Sequence, residues 1–519
     1  MNINLKPFLC FCVMSCVTVM SFGHAETHKS LVSLIEPESV TTLTLQEAIL
    51  QALQNNLDIS ISRQTRDVRV TDIVFEQAKF DPTVTLSGRY DRSITALNQA
   101  VLSGSGAVGV IMNEPAPFNQ SQSNVSTGFS QDLLTGGNYE LKWESTRNSI
   151  ADKALSGLFN PSYTSSLLLN LSQPLLQGFG TDVNHTAITI AQNTAQLEHF
   201  VFVDQVLNVV ADVERAYWEL IFMRKNKQVA NAHLQAAQEL LANNHARVEA
   251  GILAAVDVLQ AKASVASRVE DVLIAQKAVR DQEDQLRRLL VGSEEELRKS
   301  IVVVPLDHPI KTARTFHVPD VIDLALQRRP EILQAAKTIE SSQLNVRVAK
   351  NQLLPNLSFQ GTVGLSGLGK DPTDTFNRTF EGEFYNAGAG LLLSYPLGNR
   401  SAKSQYRQRQ YETTRARSAL QNVRQQVIVD VKEAVRRIQT DLKRIQITQA
   451  ARKVAERQLN AEQERLNLGL STTRLVLDLQ SDLAMARGNE LRAIMDYNQS
   501  LANLDRATAA KLERYQISL

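Results

Sequence analysis

Apolar residues recur at Val203, Val206, Val210, Val213, Tyr217 and Leu220, alternately three and four positions apart. That spacing is the seam of a coiled coil or long helical bundle. It lies inside residues 181–250, seventy consecutive positions with neither Gly nor Pro, and a second run of the same length fills 399–468. Gly and Pro are the usual punctuators of structure, so each run predicts near-continuous helix, roughly 100 Å long at the α-helical rise. The runs close on matching phrases, Arg247-Val-Glu-Ala-Gly251 and Arg465-Leu-Asn-Leu-Gly469. After Gly251 a second helical stretch continues to about Leu290, so each run opens a helical hairpin.

Ahead of both runs the period changes from helical to two. A helical stretch from Leu43 to Phe80 stops at Pro82, and then Val84, Leu86, Gly88 and Tyr90 alternate with Thr83, Thr85, Ser87 and Arg89. One apolar and one polar face is the mark of a strand. Val125–Ser130 and Tyr139–Ser145 flank Thr135-Gly-Gly-Asn138 as a hairpin, and Leu167, Leu169 and Leu171 share a face in Tyr163–Gln173. The pattern then repeats at an offset of 273: Ala52-Leu53-Gln54 meets Ala325-Leu326-Gln327, Pro82 meets Pro355, and Leu357, Phe359, Gly361 and Val363 oppose Ser358, Gln360, Thr362 and Gly364. A repeat this long is a duplicated domain, not a solenoid. The first repeat covers 26–300, with strands in 83–173 and a helical hairpin over 181–290; a linker covers 301–318; the second repeat covers 319–519, with strands in 356–395 and a hairpin over 399–515. The first repeat carries about fifty extra residues between its strands, expected to extend a loop rather than add a hairpin at the sheet's rim.

Charge and composition narrow the class. The chain has 519 residues and a net charge of +1, with signs well mixed, which argues against nucleic acid as the main partner. Residues 1–25 have the Lys6, apolar Phe8–Phe22 and Gly23-His24-Ala25 pattern of a secretory signal, and hold all three cysteines, Cys10, Cys12 and Cys16. The exported chain is therefore expected to lack disulfides. A second reading makes Val13-Met14-Ser15-Cys16 a lipoprotein box. No internal stretch reaches eighteen apolar residues, so strands must make any crossing of a bilayer. Lipid forbids open sheet edges, and about four strands per chain cannot close a barrel that starts at eight. Copies of the chain would have to share one barrel, with the polar-faced long helices projecting into water.

Candidate chemistry is sparse. Ser103-Gly-Ser-Gly-Ala-Val-Gly109 contains a GxGxxG string, but no βαβ unit follows, and Pro115 and Pro117 exclude a long helix just after it. The histidines show no HExxH or paired-ligand spacing, and no G-x-S-x-G or P-loop is present. No enzyme activity, metal or cofactor is expected.

Five features together resemble the TolC-like outer membrane efflux protein family. They are the duplication, the Leu43-Thr-Leu-Gln-Glu-Ala-Ile49 opening, the Ala349-Lys-x-x-x-x-Pro355-x-Leu357 phrase, Gln173-Pro-Leu-Leu-Gln-Gly-Phe-Gly180, and the two Arg-x-x-x-Gly phrases. The resemblance covers residues 43–515. It implies a mixed α and β membrane protein: a homotrimer whose long helical hairpins form a periplasmic α-barrel continuous with a shared twelve-stranded β-barrel in outer membrane lipid. It also implies partners, a periplasmic adaptor and an inner membrane pump or secretion ATPase. The function implied is a passive exit duct of a tripartite efflux or type I secretion system; a periplasmic coiled-coil scaffold anchored by a small β domain is the alternative.

The hairpin tips carry the residues of interest. Gly251 and Gly469 sit where a helix must reverse, a place that often needs a positive φ. The resemblance implies that the tips meet the adaptor, through Arg247, Gly251, Ile252, Arg465, Gly469 and Leu470. It also implies a periplasmic constriction of acidic residues six and nine positions after each tip Gly. Asp257 and Asp478 match that pattern, whereas Gln260 and Leu475 depart from it, and Leu466 stands where the family has a gate tyrosine. A carboxylate ring would favour cations there, and Leu475 would make part of the mouth apolar.

Overall fold

The computed structural model describes residues 39–97, 102–103, 110–111, 116–151 and 158–517. The signal segment 1–25, its cysteines and most of the GxGxxG string lie outside the described residues. The first repeat runs β1 (Ser39–Leu43), α1 (Leu45–Asn55), α2 (Leu57–Gln77), β2 (Thr83–Leu97), β3 (Ala116–Asp132), β4 (Asn138–Ile150), β5 (Ser162–Pro174), α3 (Thr186–Glu249) and α4 (Ala255–Leu290). The linker opens with β6 (Ile301–Pro305), and the second repeat runs α5 (Val318–Arg328), α6 (Pro330–Asn351), β7 (Asn356–Gly369), α7 (Pro372–Glu381), β8 (Tyr385–Ser394), α8 (Arg400–Asn467) and α9 (Thr473–Ala507). The offset of 273 carries α1, α2 and β2 onto α5, α6 and β7.

The single helix expected over 43–80 is two. Thr44 and Glu47 form a reciprocal capping box that starts α1. Asn56 then leaves the helical region at ψ 127°, and its side chain accepts from the N–H groups of Asp58 and Ile59 to start α2. In the second repeat Pro330 at the first turn of α6 makes the same break.

Among the described residues, six strands form one antiparallel sheet in the order β8-β7-β5-β4-β3-β2. This corrects the expected count of about four per chain and the assignment of the extra residues to a loop. The extra segment supplies β3 and β4, a hairpin inserted between β2 and β5. Period-two alternation (Val125, Thr127, Phe129) with an adjoining Gly136-Gly137 turn lets it extend the ladder without changing either face. β2 and β8 are the sheet's edges and have no partner on their outer sides among the described residues.

The residues between the repeats open with a strand: β6 pairs in parallel with β1, Val302 opposite Val40. This small sheet seats on α3 at the waist of the molecule. There the Tyr217 hydroxyl donates to Asp307 (2.6 Å), whose carboxylate also accepts from the N–H of Leu45 at the start of α1 (2.7 Å). Burial pushes the Tyr217 phenol well above its ordinary pKa, and the bond to Asp307 adds to the shift. The predicted seam lies in this core. Val206, Val210, Val213, Tyr217 and Leu220 have no accessible surface, and they pack with Ile49, Leu286, Val303, Ile438 and Tyr497. A smaller cluster of Leu240, Leu459, Leu466, Val476 and Leu483 holds the far ends of the hairpins together.

Candidate functional site

Two places could carry function: the tips of the long hairpins and the sheet at the opposite end. Each tip is one turn built twice. Gly251 has φ +74° and Gly469 φ +75°, the left-handed region that closes a helix. Ile252 N–H donates to Arg247 O (2.9 Å) and Leu470 N–H to Arg465 O (2.8 Å), the long backbone bond of the Schellman motif. The bond exposes Ile252 and Leu470, which are 73% and 67% accessible. An added Cβ at either Gly would meet nothing within 4 Å. Conformation therefore selects glycine there, and space does not.

The two tips of a chain are tied to each other. Arg247 donates to Leu466 O (3.0 Å) and Asn467 O (2.9 Å), the last carbonyls of α8, where a cation also suits the helix dipole. Beside it the buried Asn244 donates to Thr473 Oγ1 (3.1 Å). The Leu466 side chain faces inward and is buried with Leu459 and Val476, so its role beyond the backbone carbonyl is packing. Arg465 is exposed and pairs only loosely with Glu462, at 3.6 Å. Asp257 is half-buried in the first turn of α4, and Gln260, Leu475 and Asp478 are exposed on the first turns beyond the tips. Within one chain no hydrogen bond among the described residues joins Asp257 to Asp478. The sequence reading missed the Arg247 and Asn244 cross-links; two adjacent asparagines, Asn243 and Asn244, deep in a helix were the available signal.

The sheet has two faces of opposite character. Strand pairing aligns Leu86, Thr127, Trp143, Leu167, Leu365 and Tyr385 in one row, and Val84, Phe129, Leu141, Leu169, Val363 and Ala387 in the next. The other face carries Ser87, Ser126, Glu144, Ser166, Ser366 and, one row on, Arg89, Asn124, Thr146 and Thr164. On the apolar face Leu86, Val363, Leu391 and Leu393 are each more than half exposed. Water cannot account for such a face on six strands; a hydrocarbon band can. Tyr90, Tyr139, Trp143, Tyr163 and Tyr385 all lie on this face. Among the described residues no helix is long and apolar enough to cross a membrane, and no group of acidic, His and Cys side chains could hold a metal.

Comparison with known proteins agrees with this anatomy. Residues 132–292 and 321–510 match the family model described as outer membrane efflux protein. The outer membrane protein TolC of Vibrio cholerae is 22% identical over 417 residues, 78% of this chain and 90% of that protein. The outer membrane efflux protein BepC of Brucella suis is 24% identical over 406 residues, 77% of this chain and 83% of that one. The fold is that of the Campylobacter jejuni outer membrane channel CmeC, with a TM-score of 0.64 at 15% identity over 96% of this chain and 98% of that one. The matched stretches take in both helical hairpins and amount to well over half of the sequence, so the chain belongs to the outer membrane efflux protein family, proteins of the Gram-negative outer membrane whose long helices lie in the periplasm.

Proposed function

We propose that three copies of this chain form one passive duct, the exit channel of a tripartite efflux or type I secretion system. The observation that carries this reading is a two-faced sheet whose edges, β2 on one side and β8 on the other, are unpaired among the described residues. Edges cannot stay open in lipid, so β8 of one copy pairs with β2 of the next until the ring closes. Three six-stranded sheets close into eighteen strands, an even number within the range of bacterial barrels. The helices support the same ring: Ile61, Val68, Val74 and Phe75 on α2, and Tyr411, Val429 and Ile447 on α8, are exposed in the single chain and available to a neighbour.

At the far end, the exposed Ile252 and Leu470 with Arg247, Gly251, Arg465 and Gly469 form the docking surface for a periplasmic adaptor. An inner membrane pump or secretion ATPase behind that adaptor supplies the energy. Asp257 and Asp478, three copies of each, set a negative potential at the mouth, and Gln260 and Leu475 make the remainder neutral or apolar. Single-channel conductance in planar bilayers tests the duct, with wild type beside Asp257→Ala/Asp478→Ala. Small cation-selective currents that lose selectivity in the double variant are expected. Mass by light scattering in detergent decides the assembly: a monomer would overturn the shared barrel.

A further inference from the structure

The helix α7, between β7 and β8, is built inside out for water. Its inward face is Thr375 and Thr379, 1% and 0% accessible, whereas Phe376 and Phe380 are 49% and 53% accessible. The two rings meet at a tilt on the outside, 4.8 Å between centroids and 53° between planes. Thr375 Oγ1 lies 3.2 Å from Tyr163 O and Thr379 Oγ1 3.5 Å from Ser165 O, so the threonines seat the helix on β5. A helix in water would turn its phenylalanines to the sheet and its threonines out.

The side of the sheet it occupies is fixed by two glycines. A Cβ on Gly367 would come within 2.6 Å of Thr375 O and Thr379 Oγ1, and one on Gly369 within 2.6 Å of Thr375 Oγ1. Gly367 and Gly369 share their face with Val363 and Leu365, because alternate residues of a strand point the same way. The helix therefore lies on the apolar face, outside the barrel, beyond Tyr385 and over the row in which Tyr163 opposes Gly369. Phe384 lies on the opposite side and lines a depression of the polar face with Glu144, Thr146 and Ser366. β7 starts just after α6 and β8 ends just before α8. The helix between them is thus at the end of the sheet away from the periplasmic hairpins.

We infer that α7 is an interfacial anchor. It lies along the outer rim of the barrel with Phe376 and Phe380 inserted at the headgroup–acyl boundary of the outer leaflet, and its occupant is lipid. Continuity argues for this partner, since the Phe pair extends the hydrocarbon-facing rows of the sheet at the level of the row that holds Tyr90 and Tyr163, and membrane proteins concentrate aromatics at such a boundary. The flanks fit the headgroup level: Asp374 and Arg378 pair at 3.0 Å on the exposed side, and Asp371 caps the helix. The inference rests on the barrel reading above, and the test separates the two.

Nitroxide labels at Phe376→Cys and, in a second variant, Phe380→Cys are placed on full-length protein in which Cys10, Cys12 and Cys16 are changed to Ala. Each is reconstituted in phosphatidylcholine vesicles, with Val363→Cys as a mid-band control and Phe384→Cys as a lumen control. Collisions with molecular oxygen report lipid, and collisions with a water-soluble nickel chelate report water. Positions 376 and 380 are expected to favour oxygen several-fold relative to position 384, at a shallower depth than position 363. Nickel accessibility at 376 and 380 equal to that at 384, with 363 still in lipid, would overturn the anchor and leave the barrel standing. Water access at 363 as well would overturn both.

Discussion

At the residue scale, the tip glycines show how far one conformational demand can be read from a sequence. An Arg-x-x-x-Gly phrase at the end of a long helix asks for a left-handed residue, and both glycines have it, at φ +74° and +75°. Gly251→Ala and Gly469→Ala should each cost about 1–2 kcal/mol of local stability, because an L side chain crowds its own backbone there. Asn, which tolerates this region better, should cost less. Amide exchange at the tips is the measurement: faster exchange in both Ala variants and little change in Gly251→Asn is expected. Equal protection in all three would mean that the turn has another conformation. The partners of Arg247 were not legible in the same way. Its acceptors are carbonyls of Leu466 and Asn467, more than two hundred residues away, and backbone acceptors leave no mark in composition. Leu466 was legible as a departure from the family's tyrosine, but its burial with Val476 needed the packed hairpins.

At the element scale, the long helices and two-faced strands were readable because their periods, 3.5 and 2, persist over many residues. The inserted hairpin was seen as two strands, yet its membership in the main sheet was not. Alternation fixes which face a residue occupies and says nothing about which strand lies beside it. The break at Asn56 was also hidden, since an Asn within an apolar-periodic stretch reads as helix until its side chain is seen capping α2. Two predictions belong to the helical layer. Lys511 is fully buried against Glu214, with the Tyr515 hydroxyl on the second carboxylate oxygen. Burial pulls the Lys511 pKa down while Glu214 pulls it back up. Removing one charge strands the other, so Lys511→Met should cost about 3–5 kcal/mol, whereas Lys511→Met with Glu214→Leu should recover most of that loss. Thermal midpoints compared in one detergent check it, and a double variant no better than the single would refute the pairing argument. His233 on α3 is half-buried facing Arg268 and Asp271 of α4. Burial first and the Arg268 charge second lower its pKa to about 4, with Asp271 opposing. The unfolded chain, with histidine near 6.5, binds the proton first, so stability should rise with pH between about 4 and 6.5. His233→Gln should flatten the slope of the thermal midpoint in that window; an unchanged slope would assign the acid sensitivity elsewhere.

At the scale of the whole molecule, the inserted hairpin has a geometric consequence that can be isolated. β2, β3, β4 and β5 alternate in direction, so removing β3 and β4 leaves β2 antiparallel to β5. The register also survives in phase: Leu86 is opposite Thr127, Thr127 opposite Trp143, and Trp143 opposite Leu167, all on the apolar face. A variant lacking residues 116–150, with a short Gly-Ser linker in their place, should therefore keep two clean faces. It should pair β2 directly with β5 and close as a twelve-stranded trimer on unchanged helices. Barrel diameter grows roughly in proportion to strand number, so top-view electron microscopy should find the outer section about two-thirds as wide as in the full chain. The helical section should keep its width, because no helix contributes to the deleted segment. The ratio separates two ways of using the extra strands. A narrower barrel means that the hairpin is part of the wall and sets the width of the exit. An equal width, with the full-length trimer showing extra density outside a twelve-stranded ring, would mean that β3 and β4 leave the main sheet when neighbouring copies supply the edges.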